Sequence, residues 1–311
     1  MPKQPTVHIL LATYNGERFL TEQLESISRQ THHYWTLTVS DDGSKDETLL
    51  TIERFARQVQ QPVKVLQGPN KESSTANFFH LLANSPIDSD EDLYAFCDQD
   101  DVWHDDKLER AVKWHLQHTD QEVRLYCGRT EFVDENLHPI GLSPSIKRPP
   151  SFGNALVQNI ASGNTMVFSL TLLVSQNRVL TEHSVWHDWT TYIVATALDG
   201  VVFFDDKPCL YYRQHSDNVI GSNDGFKAQL TRLKPLLNGR FKRWADINCS
   251  AAHDLLDVMP PMTINTLRNF ESMRSAPYAA TRVFSFLKSD IRRQRLSSNL
   301  VLAFAILLKL G

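Results

Sequence analysis

The chain has 311 residues, 41% hydrophobic and 22% charged, which is enough to bury a sizeable core and suits one large domain with an extension. Its four cysteines (Cys97, Cys127, Cys209, Cys249) form no CxxC pair, so neither a zinc cage nor a disulfide framework is suggested, and reduced thiols in a cytoplasmic protein are the expectation. The net charge of −4 hides a division: residues 226–311 hold 14 Lys+Arg against 5 Asp+Glu, a balance of +9, which leaves 18 against 31, or −13, for residues 1–225, and an acidic body with a basic tail is not the pattern of a nucleic-acid binder.

Taken in chain order, MPKQPTVHILLATYNG lacks the charged region, apolar core and cleavage site of a secretory signal. Val7–Ala12 is a short apolar run that predicts a buried strand. Over Arg18–Gln30, Phe19, Leu20, Leu24 and Ile27 have helical spacing. Thr36–Ser40 predicts a second strand, after which Asp41, Asp42 and Gly43 form a turn and Ser44 with Glu47 fits a capping box for the next helix. Val63–Gln67 is a third strand, Ser74–Asn84 a helix, and Leu93–Cys97 a fourth strand ending in Asp98-Gln99-Asp100-Asp101. Asp105 or Asp106 is placed to cap the helix carrying Leu108, Val112 and Leu116. Residues 135–165, rich in Pro, Ser, Gly and Asn, read as loops; Met166–Phe168 and Val201–Phe204 read as strands around a helix at Thr190–Leu198. This alternation predicts a mostly parallel sheet with helices on both faces, whose ligands bind beyond the carboxyl ends of the strands. TYNG, DDGS and DQDD should therefore gather at one edge.

Beyond residue 225 the character changes. Gln229–Trp244 mixes leucines and aromatics with Arg and Lys, and Leu300–Leu308 is nine apolar residues, too short for the roughly 20 that a bilayer span needs. With Lys288, Arg292, Arg293 and Arg295 ahead of it, this end suits a membrane surface, and it equally suits a helix packed on its own domain.

Three acidic residues in four positions after a buried strand repel one another, and a hard divalent cation, Mn²⁺ or Mg²⁺, relieves that repulsion. Asp98 and Asp100 are the candidate ligands, and a solvated acidic loop is the plain alternative. At the DDGS turn a carboxylate can accept the imide N–H of a uracil or thymine ring, with Thr13 and Tyr14 lining the other side of the base; ordinary turn chemistry explains the same residues. Asp188, in His187-Asp188-Trp189, is either a helix cap or a general base, with Trp186 and Trp189 as apolar surface for a sugar face. His215 is a candidate late metal ligand and Arg213 a candidate diphosphate contact. His32/His33 and His115/His118 lack the partners of a zinc site. Neither GxGxxG nor GxxxxGK[ST] occurs, which argues against a dinucleotide fold and a P-loop kinase.

Together, ILLATYNGERFLTEQLESISRQT, LTVSDDGSKDET, FCDQDDVWHDDKL and WHDW resemble the family 2 glycosyltransferases of the GT-A fold, over about residues 6–220. The resemblance implies an α/β nucleotide-diphospho-sugar transferase fold and an inverting, divalent-metal-dependent enzyme. It makes Asp42, with Asp41 beside it, the base-binding carboxylate, Asp98 and Asp100 the DxD pair, and Asp188 the catalytic base, with His187 where the family's motif has Glu. Thr13, Tyr14, Asn15, Gln99 and Arg213 are counted with Asp41, Asp42 and Asp98 as nucleotide-sugar contacts, and His215 as a weaker match to a late histidine ligand. SDDGSKDET with ANFFHLL and DQDDVW is similar to bacterial rhamnosyltransferases of surface polysaccharide assembly. That implies dTDP-L-rhamnose as donor, with UDP-glucose, UDP-galactose or UDP-GlcNAc as alternatives, a glycan or lipid-linked saccharide as acceptor, and no nucleic acid. The expected organisation is a catalytic domain over 1–225, with a nucleotide-sugar half to about residue 130 and an acceptor half from 131, and a helical extension over 226–311 in peripheral contact with the cytoplasmic face of the inner membrane. A sugar nucleotidyltransferase would need a Gly-rich first loop that ATYNGER does not supply. A glycoside hydrolase would leave DDGS unexplained, and a non-catalytic module would leave two acidic sites without a use.

Overall fold

A strand covered on both faces needs an unbroken apolar run rather than alternation. VHILLAT is such a run: Val7–Thr13 forms β1, buried almost throughout, between the parallel strands β2 (Trp35–Asp41) and β4 (Leu93–Cys97). The computed structural model describes residues 4–215 and 239–309. With β3 (Val63–Gln67), β6 (Arg124–Gly128), β9 (Val167–Ser169) and β10 (Val201–Asp205), these strands make a seven-stranded sheet in the order β10-β6-β9-β4-β1-β2-β3. Only β9 runs antiparallel to its neighbours, so the sheet is mostly parallel as expected. The chain leaves β1 toward β2 and β3, then returns to β4 on the other side of β1. That reversal is a topological switch point, where α/β sheets open a crevice at the strand ends.

Four helices follow the strands. In α1 (Leu20–Ser28) the buried residues Leu20, Gln23, Leu24 and Ile27 fall at i, i+3, i+4 and i+7, the spacing of one helical face. α2 is Thr48–Ala56, α3 is Ser74–Ala83 and α4 is Lys107–Leu116. α3 is capped by Ser73, whose hydroxyl accepts from Ala76 N–H. The capping box expected at Ser44 and Glu47 does not form. Helix α2 begins four residues later, at Thr48, whose N–H and hydroxyl both donate to Asp46, because Ser44 is engaged by the turn before it. Asp106 occupies the N-cap position of α4, but its carboxylate pairs with Arg110 and Lys207 instead of the helix N–H groups.

A second sheet, β5-β11-β7-β8, joins Val102–Trp103, Leu210–Arg213, Glu131–Val133 and Pro139–Leu142. Part of it lies in the stretch read as loops. β8 is exposed at every position and held by backbone pairing to β7, so no apolar pattern marks it.

The chain divides into two compact units. The first, residues 4–145, 161–177 and 200–215, carries both sheets, α1–α4 and a helix α6 (Leu170–Gln176). The second takes residues 146–160, 178–199 and 239–309, so the division differs from a single cut at 225. It holds α5 (Phe152–Ala155), α7 (His187–Ala197), α8 (Arg240–His253), α9 (Pro261–Ser275), α10 (Ala279–Lys288) and α11 (Leu296–Leu307). Within it, Thr263 Oγ1 donates to Ala197 O at 2.7 Å, and Trp189 and Trp244 meet edge-on at 5.6 Å. Of the basic segment expected over 229–244, residues 229–238 lie outside the described residues. Among the described residues no helix is long and apolar enough to cross a membrane.

Candidate active site

β1 and β2 end side by side at Thr13 and Asp41. The Thr13 hydroxyl donates to Asp41 Oδ2 at 2.9 Å, and Ser44 Oγ donates to the same oxygen at 2.5 Å. Asp41 Oδ1 accepts the N–H groups of Gly43 (3.2 Å) and Ser44 (2.8 Å). Asp41 is thus consumed in building its own turn, which also needs glycine at 43: φ is +93°, and a Cβ would stand 2.5 Å from Asn70 Oδ1. Asp42 is different. Its carboxylate, 3% exposed, accepts only lengthened bonds, from Lys71 N–H at 3.2 and 3.3 Å and Ser73 N–H at 3.4 Å. Of the two neighbours it keeps more acceptor capacity for a ligand.

The TYNG loop is zipped to this turn. Asn15 N–H donates to Ser44 Oγ (2.8 Å), Asn15 Oδ1 accepts Lys45 N–H (2.9 Å), and Gly16 N–H donates to Thr48 Oγ1 (2.8 Å). From the other side Gln99 pairs with the Tyr14 main chain in both directions, accepting N–H at 2.9 Å and donating to the carbonyl at 3.1 Å. The side-chain amide extends the β1–β4 ladder by one rung. A Cβ on Gly16 would lie 2.4 Å from Gln99 Oε1, so the rung excludes any larger residue there unless Gln99 moves. Tyr14 turns its hydroxyl to Glu72 (3.0 Å), a bond that raises its pKa. Asn77, which periodicity marked only as part of a helix, is 2% exposed and donates to Ser40 O (2.9 Å) and Thr13 O (3.3 Å), tying the two strand ends together.

DQDD lies between β4 and β5. Asp100 Oδ2 is 2.8 Å from His215 Nε2, and the His215 ring packs on Phe19 at 5.0 Å. Asp98, Gln99 and Asp100 are half-buried, whereas Asp101 is fully buried. Asp101 Oδ2 accepts Asn164 Nδ2 at 2.6 Å, but its buried Oδ1 has no hydrogen-bond partner. Burial, then the charges of Asp100 and Asp98, push its pKa well up. Next to it the Lys107 ammonium is wholly buried, 3.2 Å from the Trp103 ring centre and 2.7 Å from Asn164 O, and burial lowers its pKa to about 8. Neither Lys107 nor Asn164 stood out in the sequence, since each acts through a partner far along the chain.

A clustered set of oxygen donors, one histidine in contact with it and one orphaned buried carboxylate oxygen fit a hard divalent cation. Asp98, Asp100 and His215 are the residues that would hold it. Asp100 and His215 are already in contact, and the three ligand atoms do not all lie within 4.8 Å of one another, which suits an ion that keeps waters and shares its site with substrate phosphates. Among the described residues that tighter spacing occurs at His8, Asp88 and Asp92. His8 and Asp92 belong to the opposite edge, where β1 and β4 begin, and there His8 bonds Asp92 (3.2 Å) and Thr36 (2.8 Å).

Arg213 is 1% exposed. Its guanidinium donates to Asp100 O at 3.1 Å and to Glu135 O and the Glu22 carboxylate, and it stacks 4.4 Å above the Phe19 ring. We read Arg213 as a residue that positions the acidic loop rather than touching the donor. Gln23 supports the same loop: with its amide turned to match its neighbours, it donates to Asp101 O (2.6 Å) and accepts from Trp103 Nε1 (3.3 Å).

In the second unit, Asp188 opens α7, half-buried, with Oδ1 2.6 Å from Trp189 N–H. His187 is buried, which lowers its pKa to about 3 and keeps it neutral at pH 7. Trp189 is not a sugar platform: it is 5% exposed, donates to Ala155 O at 2.7 Å and packs in the core of its unit. Trp186 stays half-buried.

Residues 8–175, more than half of the chain, match the profile of Glycosyl transferase family 2. Over 240 residues the chain is 28% identical to the dTDP-rhamnosyl transferase RfbG of Shigella flexneri, spanning 75% of this chain and 81% of that one. The UDP-Glc:alpha-D-GlcNAc-diphosphoundecaprenol beta-1,3-glucosyltransferase WfgD of Escherichia coli is 25% identical over 131 residues, 42% of this chain and 47% of its own. Among solved structures, S. aureus TarS 1–349 is similar at a TM-score of 0.58 and 16% identity over 98% of this chain and 80% of that one. The mannosyltransferase PcManGT from Pyrobaculum calidifontis, in complex with GDP-Man and Mn²⁺, has a TM-score of 0.50 at 16% identity over 99% of this chain and 86% of its own. The α/β architecture is the GT-A fold. Profile, fold and the acidic strand ends agree, and the chain belongs to glycosyl transferase family 2.

Proposed function

We propose that this family 2 glycosyltransferase transfers L-rhamnose from dTDP-L-rhamnose to a hydroxyl of a glycan or lipid-linked saccharide in polysaccharide assembly, inverting the anomeric centre. The observation that carries this reading is the pairing of Asp100 with His215 at the same sheet edge as Asp42, with the end of β1 between the two. The similarity to RfbG supports the donor. In this reading Asp42 accepts the imide N–H of the base, while Asp41, Thr13, Asn15 and Gln99 hold the two loops that border it. Tyr14 flanks the base. Asp98, Asp100 and His215 would hold Mn²⁺ or Mg²⁺, which when bound would supply positive charge against the diphosphate leaving group. Asp188 takes the acceptor proton as the hydroxyl oxygen bonds to C1 and the C1–O bond to the diphosphate breaks. The protein works on the cytoplasmic side, in peripheral contact with the inner membrane through its C-terminal region.

A UDP-sugar donor is the second reading, favoured by the TarS structure in complex with UDP-GlcNAc. Uracil and thymine share the imide N–H, so Asp42 serves both, and the thymine methyl group and the ribose 2′-hydroxyl are what separate the two donors. The test is a panel of nucleotide sugars screened for binding and slow hydrolysis with Mn²⁺, with Mg²⁺ and with EDTA. The expected result is turnover of dTDP-L-rhamnose that EDTA abolishes. Turnover confined to a UDP-sugar moves the assignment to the second reading, and indifference to every donor overturns both.

A further inference from the structure

The last two helices form one device. Arg282, 5% exposed near the start of α10, donates to Ile306 O (2.9 Å) and Leu307 O (2.6 Å) at the end of α11, and to Ala276 O (2.7 Å) and Pro277 O (3.0 Å) before its own helix. The start of one helix therefore lies against the end of the other, which makes them an antiparallel hairpin. Its inner side is buried through Phe286, Leu302, Ala305 and Ile306. Its outer side is also apolar. Leu296, Leu300, Phe304 and Leu308 recur every fourth residue, exposed by 72%, 67%, 53% and 47%, and α10 for its part exposes Phe284 at 58% and Leu287 at 73%. The α11 line alone runs about 18 Å at 1.5 Å per residue. A helix that is apolar on every side needs cover on every side, and an exposed patch of this extent marks an interaction surface.

Charge decides what covers it. Residues 276–309 hold six Arg and Lys against one acid, Asp290. Arg282 and Arg293 are spent inside, the latter on Val157 O at 3.1 Å. Lys288, Arg295 and Lys309 remain exposed, Arg292 is half-buried and paired with Asp290 at 3.4 Å, and the Lys288 ammonium lies 4.2 Å from the centre of the exposed Phe284 ring. A second copy of this face would set like charges against each other. Anionic headgroups would not. We propose that the outer face of the α10–α11 hairpin docks the protein on an anionic bilayer surface, with the leucine and phenylalanine line at the headgroup–acyl boundary and the cations on headgroup phosphates. This gives the membrane contact named above its surface and its lipid class, and it rests on that contact alone, not on the donor.

The test is co-sedimentation of the full chain with vesicles of phosphatidylcholine, with and without phosphatidylglycerol. Wild type should bind the phosphatidylglycerol vesicles, with an affinity that falls as salt rises. Leu300→Asp with Phe304→Asp should weaken binding by about tenfold or more, and Lys288→Glu with Arg295→Glu should remove the preference for the anionic vesicles. Both pairs are exposed and lie outside the acidic sites, so thermal melts and donor hydrolysis in solution should not change. Undiminished binding by either pair, equal binding to both vesicle types, or a solution dimer that Leu300→Asp dissociates would overturn the proposal. Loss of donor hydrolysis in every variant and in wild type would strike the transferase assignment and leave this surface standing.

Discussion

The guanidinium of Arg213 is bonded to the main-chain carbonyl of Asp100 at 3.1 Å, while the side chain of that same Asp100 faces His215 at 2.8 Å. The second residue after β11 thus faces the acidic loop, and the last residue of β11 holds the loop in place. Removing the clamp with Arg213→Ala should cost about 2–3 kcal/mol in urea denaturation, less than a fully buried pair because Glu22 is half exposed. The metal-dependent donor KM should rise along with it. Arg213→Lys should recover little, since an ammonium cannot reproduce the planar fork. Wild-type stability and KM in the alanine variant would contradict the positioning role.

Asn77 makes a comparable tie between β1 and β2. Asn77→Leu keeps the volume but removes the amide donor to Ser40 O and to Thr13 O, the latter keeping its bond from Asp42 N–H, at a cost of about 1–2 kcal/mol. Donor KM should climb more than kcat falls, because the strand ends that border the base are displaced rather than the reacting groups. Steady-state kinetics beside a urea titration separates the two effects.

Asp188 and Asp100 should fail in different ways. Asp188→Asn is expected to lower kcat by about 10²–10⁴ while calorimetric donor binding stays intact, as for a lost general base. Asp100→Asn should instead weaken Mn²⁺-dependent donor binding. If Asp188→Asn transferred sugar at the wild-type rate, its role as base would be finished.

Acid should unfold the protein from below pH 6.5. His115 is buried, its Nε2–H directed to Val167 O at 3.1 Å and its Nδ1 accepting from Arg124 Nε at 3.3 Å, so the neutral tautomer is the one that fits. Burial lowers its pKa to about 3. The unfolded chain, with its histidine near 6.5, binds the proton first. The contribution is therefore fully present above pH 6.5 and is lost as pH falls toward 3, at on the order of 1.4 kcal/mol per pH unit for this one group. His187 shares the direction. Urea midpoints at descending pH should slope downward in wild type and less steeply in His115→Gln; parallel slopes would refute this account.

The strands that carry the site were readable because their signals are local. Val63–Gln67 and Leu93–Cys97 emerge with the bounds their apolar runs suggested, and β1 and β2 within a residue. Where several structures share one signal, the reading slipped. Ser44 looks like a helix cap by spacing, yet its hydroxyl is held by Asp41 and the helix waits for Thr48. β8 and α5 hid in a polar stretch because one is exposed throughout and the other spans four residues, too few to show a period.

By itself the sequence determined the frame: apolar runs of strand length, amphipathic helices between them, and acidic or turn residues at the strand ends that a parallel sheet must bring to one edge. Those properties belong to residues a few positions apart. Tertiary structure decided the division of labour at that edge: that Asp41 builds the turn while Asp42 keeps its acceptors, and that Arg213 is locked inside while Trp189 lines a core. The reason is that a side chain's role follows from which partners satisfy it, and the partners come from afar: Glu22 reaches Arg213 across 191 positions, and Asn164 reaches Asp101 across 63.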